Sequence, residues 1–274
     1  QGPAPLGYRI TTLAGNGEVK AENDDGSYGD GLKAPEAYLN GPRGLALDTS
    51  GNLYIADELH HKVRRVDNEG VISTYSGTGT GGAAGDDGAA NEAYLKNPTR
   101  LVFDRSGNLY IADSANHKIR KIATNGIITT AVGTGEQGYT QDSKWYEIED
   151  NWVKADEAKF NTPLGMAFDA AGNLYIADTL NHRVRKVDTA GYVWNVAGNG
   201  TAAWAGDGGP ATEAELNYPH DVAVDLAGNL YIADTLNGLI RKVDTDGIIT
   251  TIAGVGLNGY FGDGGPALYA GLDY

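Results

Sequence analysis

The sequence predicts an all-β propeller of four blades, each a four-stranded antiparallel sheet, with a surplus strand at its N-terminal end. Three observations carry that expectation. The heptapeptide Gly-Asn-Leu-Tyr-Ile-Ala-Asp recurs unchanged from Gly51, Gly107, Gly172 and Gly228, at spacings of 56, 65 and 56 residues. Each copy lies in the same series of four short runs rich in β-branched and aromatic residues, which is how strands read. Gly, Asn and Asp turn signals separate the runs and leave no room for a helix of ordinary length. A fixed repeat of four strands is the unit of a radial array whose sheets bury both faces against their neighbours.

The fourth copy shows the elements in order: Asp221–Asp225, Leu230–Asp234, Leu239–Asp244 and Ile248–Ala253. The period is broken once, by nine extra residues between the second and third copies. On this pattern the chain divides into an N-terminal segment over 1–15, four blades over 16–254 and a linker-like tail over 255–274. The ends are the informative departure. Tyr8–Gly15 matches a fourth strand, as in Ile248–Gly254, yet no third strand precedes it, and Phe261–Tyr274 matches the linker that elsewhere leads into a first strand. Three uses remain open for the surplus strand: a fifth position on the last blade, part of a partial ring completed by another chain, or pairing with the blade edge of a neighbouring molecule. Tyr8, Ile10, Thr12 and Leu13 are the candidate joining strand, with Tyr269 and Tyr274 as contacts from the tail.

The run Asp178–Asp188, DTLNHRVRKVD, resembles the Asn-His-hydrophobic signature of the NHL-repeat family, with variants at Leu59–Val63, Asn116–Ile119 and Asn237–Ile240. The resemblance covers Tyr8 to about Gly265. The linkers resemble those of bacterial secreted NHL proteins, with Gly206–Ala211 repeated as Gly262–Ala267. It implies a propeller, more often of six blades than of four.

Composition bounds the setting. The 274 residues include 40 Gly, one Met and no Cys, with a net charge of −15 and no apolar run long enough to span a membrane. The start at Gln1 reads as a mature end after signal-peptide removal, and an extracellular or cell-surface location is expected. Phosphate would be repelled by this charge, which argues against nucleic acid as a partner. The sequence holds no Gly-x-Ser-x-Gly, no phosphate loop and no paired carboxylates separate from the repeat, so no catalytic residue is expected. Propeller lyases and lactonases of related folds carry metal-binding His and Glu at the channel, and this sequence has no matching set.

Candidate residues fall into repeated and private groups. Asp57, Asp113, Asp178 and Asp234 end the second strands, and Arg64, Arg120, Arg185 and Arg241 lie in the third; repetition points to structural ion pairs, with bidentate geometry available. His60, His61, His117 and His182 are spread around the ring and do not converge as zinc ligands must. No cofactor is expected. Asp30, Asp86, Asp207 and Asp263, in glycine-rich loops, are candidates for calcium, with solvated turns the alternative. After Pro42, Pro98, Pro163 and Pro219, the private pairs place Arg43, Arg100, His220 and Asp221 on the channel rim, either as a site for a small polar or anionic ligand or as a solvated rim. In the insertion, Tyr139, Trp145, Tyr146 and Trp152 are either an exposed contact surface or a loop folded back on its blade. Asn199 begins one glycosylation sequon.

Two functions follow. One is a non-enzymatic subunit of an extracellular filament or surface array, its partner being itself, joined through the terminal segments. The other is a monomeric adhesion module that recognises a glycan or a protein through its loops and rim.

Overall fold

The computed structural model describes residues 9–19, 26–140, 153–257 and 259–273. Four sheets follow in chain order: β1 Pro42–Leu47, β2 Leu53–Asp57, β3 Lys62–Val66 and β4 Ile72–Ser76; β5 Pro98–Phe103, β6 Leu109–Asp113, β7 Lys118–Ile122 and β8 Ile128–Val132; β9 Pro163–Phe168, β10 Leu174–Asp178, β11 Arg183–Val187 and β12 Val193–Ala197; β13 Pro219–Val224, β14 Leu230–Asp234, β15 Leu239–Val243 and β16 Ile249–Ala253. Each sheet pairs its strands antiparallel in sequence order. The predicted propeller blades are there, four of them with four strands each.

The hairpin between the first two strands of each blade is set by an aspartate. The Asp48 Oδ1 accepts from the N–H groups of Ser50 and Asn52, and Oδ2 accepts from Asn52 Nδ2; Asp104, Asp169 and Asp225 repeat the turn. The repeated Leu-Tyr-Ile-Ala-Asp strand is apolar on both faces because both are covered, in the inner blades by neighbouring blades and in the first blade on one side by the linker residues Ala34 and Ala37; Ile55, Ile111, Ile176 and Ile232 are all buried.

Apolar residues gather at successive blade boundaries. Leu95, Leu101 and Ile111 of the second blade and its linker meet Tyr54, Ala56 and Val63 of the first. Met166 and Ile176 meet Ala112 and Ile119, and Val222 and Ile232 meet Ala177 and Val184. No such cluster among the described residues joins the fourth blade to the first. Leu45 on β1 is 56% exposed, whereas its counterparts Leu101, Met166 and Val222 are at most 3% exposed. The four blades therefore form an arc with two bare end faces.

Buried arginines fasten each blade to the linker before it. Arg120 Nη2 donates to Asp86 Oδ1 at 2.7 Å and Nη1 to Tyr94 O at 3.2 Å, both in the linker, while Nη1 lies 3.5 Å from Asp113 Oδ2 on β6. Arg64 and Arg241 repeat this with Asp30 and Asp207, each at 2.7 Å. In the first, second and fourth blades the expected bidentate pairs with the strand aspartates are replaced by single contacts of 3.3–3.5 Å, because the guanidinium turns its best donors toward the linker carboxylate; Arg185 stands 3.6 Å from Asp178. The strand aspartates serve as acceptors instead. Asp113 Oδ1 accepts from Lys96 N–H and Oδ2 from Asn116 Nδ2, yet burial outweighs these and pushes its carboxyl up to about 6.

The segment expected as a surplus strand forms no sheet pairing over residues 9–14, with Ile10 and Leu13 exposed; Tyr8 lies outside the described residues. No helix among the described residues is long and apolar enough to cross a membrane.

Replacing Arg120 with Met should cost about 3–5 kcal/mol, the usual effect of removing one partner of a buried ion pair. Urea denaturation read by tryptophan fluorescence measures it, and a loss under 1 kcal/mol (roughly that of an exposed pair) would deny the arginine its structural weight.

Candidate ligand site at the channel rim

The inner strands reach the channel through β-bulges. In the first, second and fourth blades the pairing with the second strand slips between Pro42 and Leu45, Pro98 and Leu101, and Pro219 and Asp221; in the third the slip falls between Ile176 and Asp178, opposite Pro163. A bulge re-aims side chains, and here it brings the private residues of all four copies to one place. Arg43, Gly44, Thr99, Arg100, Leu164, Gly165, His220 and Asp221 line one cavity of about 340 Å³. That volume suits a small ligand.

Arg100 Nη1 lies 3.1 Å from Asp221 Oδ2 across the channel, joining the second blade to the fourth. Arg43 pairs with Glu58 and lies 3.2 Å from His220 Nε2. Burial first, and the Arg43 charge second, hold the His220 imidazole below its ordinary value. The Thr99 hydroxyl is fixed by Ser114 Oγ and by the Leu164 carbonyl, at 2.6 and 3.1 Å. Arg100 Nε is buried with no acceptor among the described residues. Gly165 is the close-approach position: a Cβ there would run into the backbone of His220 and Asp221.

The remaining candidates lie elsewhere. His61, His117 and His182 hold left-handed positions at the ends of short 3-10 turns, with φ of 53–55°. Each Nδ1 accepts a backbone N–H from the next linker, of Asn97, Thr162 and Tyr218 at 3.2, 3.0 and 3.2 Å. They are clamps between successive blades, a role the sequence reading missed although the spacing of the signature holds the clue. His60 takes the place of Asn116, Asn181 and Asn237, its Nδ1 at 2.9 Å from Asp57 Oδ2 and its ring stacked on Tyr28. Asp30, Asp86 and Asp207 each give an oxygen to a buried arginine, and Asp263 accepts from the Tyr260 hydroxyl. No three His, Asp or Glu gather as metal ligands do among the described residues. Tyr139 is not an exposed contact: it folds back beneath Arg183, whose guanidinium sits 4.0 Å from the ring centroid. Trp145, Tyr146, Trp152 and Tyr274 lie outside the described residues. Thr12 is exposed, as is Tyr269 in the short turn Ala267–Tyr269. Exposed Asn199 donates Nδ2 to the Glu213 carbonyl.

Comparison with known proteins settles the family. The profile of the Teneurin NHL domain matches residues 5–84, 78–145 and 196–260, and that of the NHL repeat matches residues 160–187. The chain belongs to the teneurin NHL domain family. Teneurin-4 of Homo sapiens is 31% identical over 250 residues, covering 84% of this chain and 9% of teneurin-4. The chain thus spans about a tenth of the length of the teneurins it matches. A solved protein of unknown function from Bacteroides thetaiotaomicron is 28% identical, with a TM-score of 0.57 over 73% of this chain and 46% of that one. Streptogramin B lyase is 14% identical with a TM-score of 0.51, over 78% of this chain and 54% of that one, a likeness of fold alone.

The histidine clamps carry a pH dependence. Burial holds the His117 imidazole below the ordinary value near 6.5, with the Lys96 charge adding to it, and Nδ1 accepts the Thr162 N–H only while unprotonated. The unfolded chain takes the proton first, so the clamp's stabilisation is present above about pH 6.5 and is lost as pH falls through the folded value. His117→Asn, which tolerates a positive φ, should lower stability by about 1 kcal/mol at about pH 7.5 and by progressively less toward about pH 5. Urea denaturation of both proteins across that range checks it; a pH-independent difference would sink the clamp.

Proposed function

We propose that this chain acts outside the cell as a non-enzymatic recognition module that binds a small carboxylate-bearing group, from a glycan or a protein, at the channel rim. The observation that carries the reading is Arg100. Its side chain is one-third exposed to a cavity built from all four blades, one nitrogen is paired with Asp221, and Nε lacks an acceptor. A guanidinium has five N–H donors, so a single pairing leaves a fork available for a second carboxylate. Binding is favoured over chemistry because the rim charges neutralise each other and the Thr99 hydroxyl is tied down on both sides. The extracellular placement draws on the cysteine-free, strongly acidic composition and the secreted-type linkers.

A second reading, the subunit of a filament or surface array joined through terminal segments, is favoured by the exposure of Ile10 and Leu13 and by the two bare end blades. Negative-stain microscopy and light scattering with and without residues 1–15 separate the two: filaments lost on truncation support assembly, and a monomer in both samples leaves the rim.

A panel of acidic sugars, amino acids and small carboxylates, screened by thermal shift and followed by calorimetry, tests the rim directly. Arg100→Ala should weaken any hit by about tenfold or more, the loss of one charge-assisted hydrogen bond, with an unchanged melting point in the absence of ligand. A hit that binds the variant equally well, or no hit at all, would refute the site.

A further inference from the structure

At each boundary between successive blades a second-strand tyrosine faces the next blade, and what meets its ring differs from copy to copy. Between the first and second blades Tyr54 packs edge-on against Tyr75 and Phe103, with ring centroids 4.8 and 5.1 Å away. Between the second and third, Tyr110 meets Phe168 at 5.0 Å, and Ala131 takes the place of Tyr75. Between the third and fourth, both aromatic positions are lost. Val196 and Val224 stand there, and Tyr175 has no ring partner among the described residues.

The two missing rings leave a hole. A cavity of about 480 Å³ opens at this boundary, lined by Tyr175, Lys186 and Val196 of the third blade, Pro210 of the linker, and Asp244 and Asp246 of the fourth. It shares no lining residue with the rim cavity. Its size is that of a small-molecule site.

The charges at its edge are also peculiar to this boundary. The turn between the third and fourth strands carries Ala123 and Asn125 in the second blade and Asp188 and Ala190 in the third, but Asp244 and Asp246 in the fourth. In the third blade Trp194 Nε1 donates to Asp188 Oδ2 at 3.1 Å. Thr250 replaces that tryptophan in the fourth, so Asp244 accepts the Asp246 and Ile248 N–H groups through Oδ1 and keeps Oδ2 without a donor among the described residues. Lys186 lies with its ammonium 5.6 Å from the Tyr175 ring centroid and has no carboxylate partner among the described residues.

We propose that this cavity binds a free aromatic amino acid. The ligand's ring packs on Tyr175 and Val196 in place of the rings of Tyr75 and Phe103, its ammonium is held by Asp244 and Asp246, and its carboxylate by Lys186. Edge-to-face ring packing and charge-assisted hydrogen bonds to both ends of the zwitterion supply the recognition. An aromatic wall with one ammonium and two carboxylates beside it matches all three features of such a ligand. Neither Arg100 nor any other rim residue takes part, so this site and the rim reading stand or fall separately.

Calorimetry on the full chain carrying Arg100→Ala tests it, since that background removes the rim as a competing site for carboxylates. L-Phenylalanine and L-tryptophan should bind saturably. L-Leucine, which lacks the ring, 3-phenylpropionate, which lacks the ammonium, and phenethylamine, which lacks the carboxylate, should each bind about tenfold or more weakly, through loss of a ring contact or a charge-assisted hydrogen bond. Val196→Tyr copies the filled first boundary and Asp246→Asn copies Asn125; each should weaken phenylalanine binding about tenfold or more. Asp246 is exposed, so its substitution keeps the test decisive even where the larger ring at the other position disturbs folding. No saturable binding of either amino acid, equal binding of leucine, or binding that a folded variant leaves unchanged overturns the proposal.

Discussion

Arg64, Arg120, Arg185 and Arg241 are fully buried, and a buried guanidinium tolerates only an environment that satisfies it. In three blades the same solution recurs: a linker carboxylate at 2.7 Å, a linker carbonyl and the aspartate that ends the second strand. The linker is thus part of the blade's interior and not a tether between sheets. The aspartate at the end of the second strand binds the linker a second time, through the N–H of Asn40, Lys96, Asn161 or Asn217. Strand, linker and arginine form one cooperative unit, and the histidine clamps join each unit to the next.

The third blade adds aromatic faces to the surroundings of its arginine. Its insertion replaces the glycine-rich approach of the other linkers, and Arg185 meets the rings of Tyr139 and Phe160 at 4.9 and 5.5 Å, with its Nη2 donating to the Thr140 carbonyl. An aromatic face attracts a guanidinium through its negative quadrupole. Tyr139, in an insertion read from sequence as either a contact surface or a loop folded back on its blade, thereby packs against the arginine of the third blade.

Strand existence, order and blade number were legible because the alternation and turn residues repeat four times, and even the rim was legible, since positions that vary against a repeated background had nowhere else to converge. Three things were hidden. The pairing of Arg120 with Asp86 over Asp113 depends on how a linker 34 residues upstream crosses the sheet, which no local pattern encodes. The Arg100 to Asp221 pair spans the channel between non-adjacent blades. The histidines read only as dispersed side chains that do not converge, because a bond accepted from a backbone N–H leaves no trace in residue identity.

The rim owes its freedom to vary to that scaffold. A bulge at the start of each inner strand lifts two residues out of the ladder in the first three blades and His220 alone in the fourth, so a change at these positions costs no strand pairing, while the arginines and histidines hold the blades in place from outside. What remains fixed at the rim is close approach: Gly44 abuts Thr99 and Arg100, and Gly165 abuts His220 and Asp221. Glycine in alternate blades is the steric condition for the larger Arg100 and Asp221 in the blades between them, which is how four copies of one repeat come to carry a single asymmetric site.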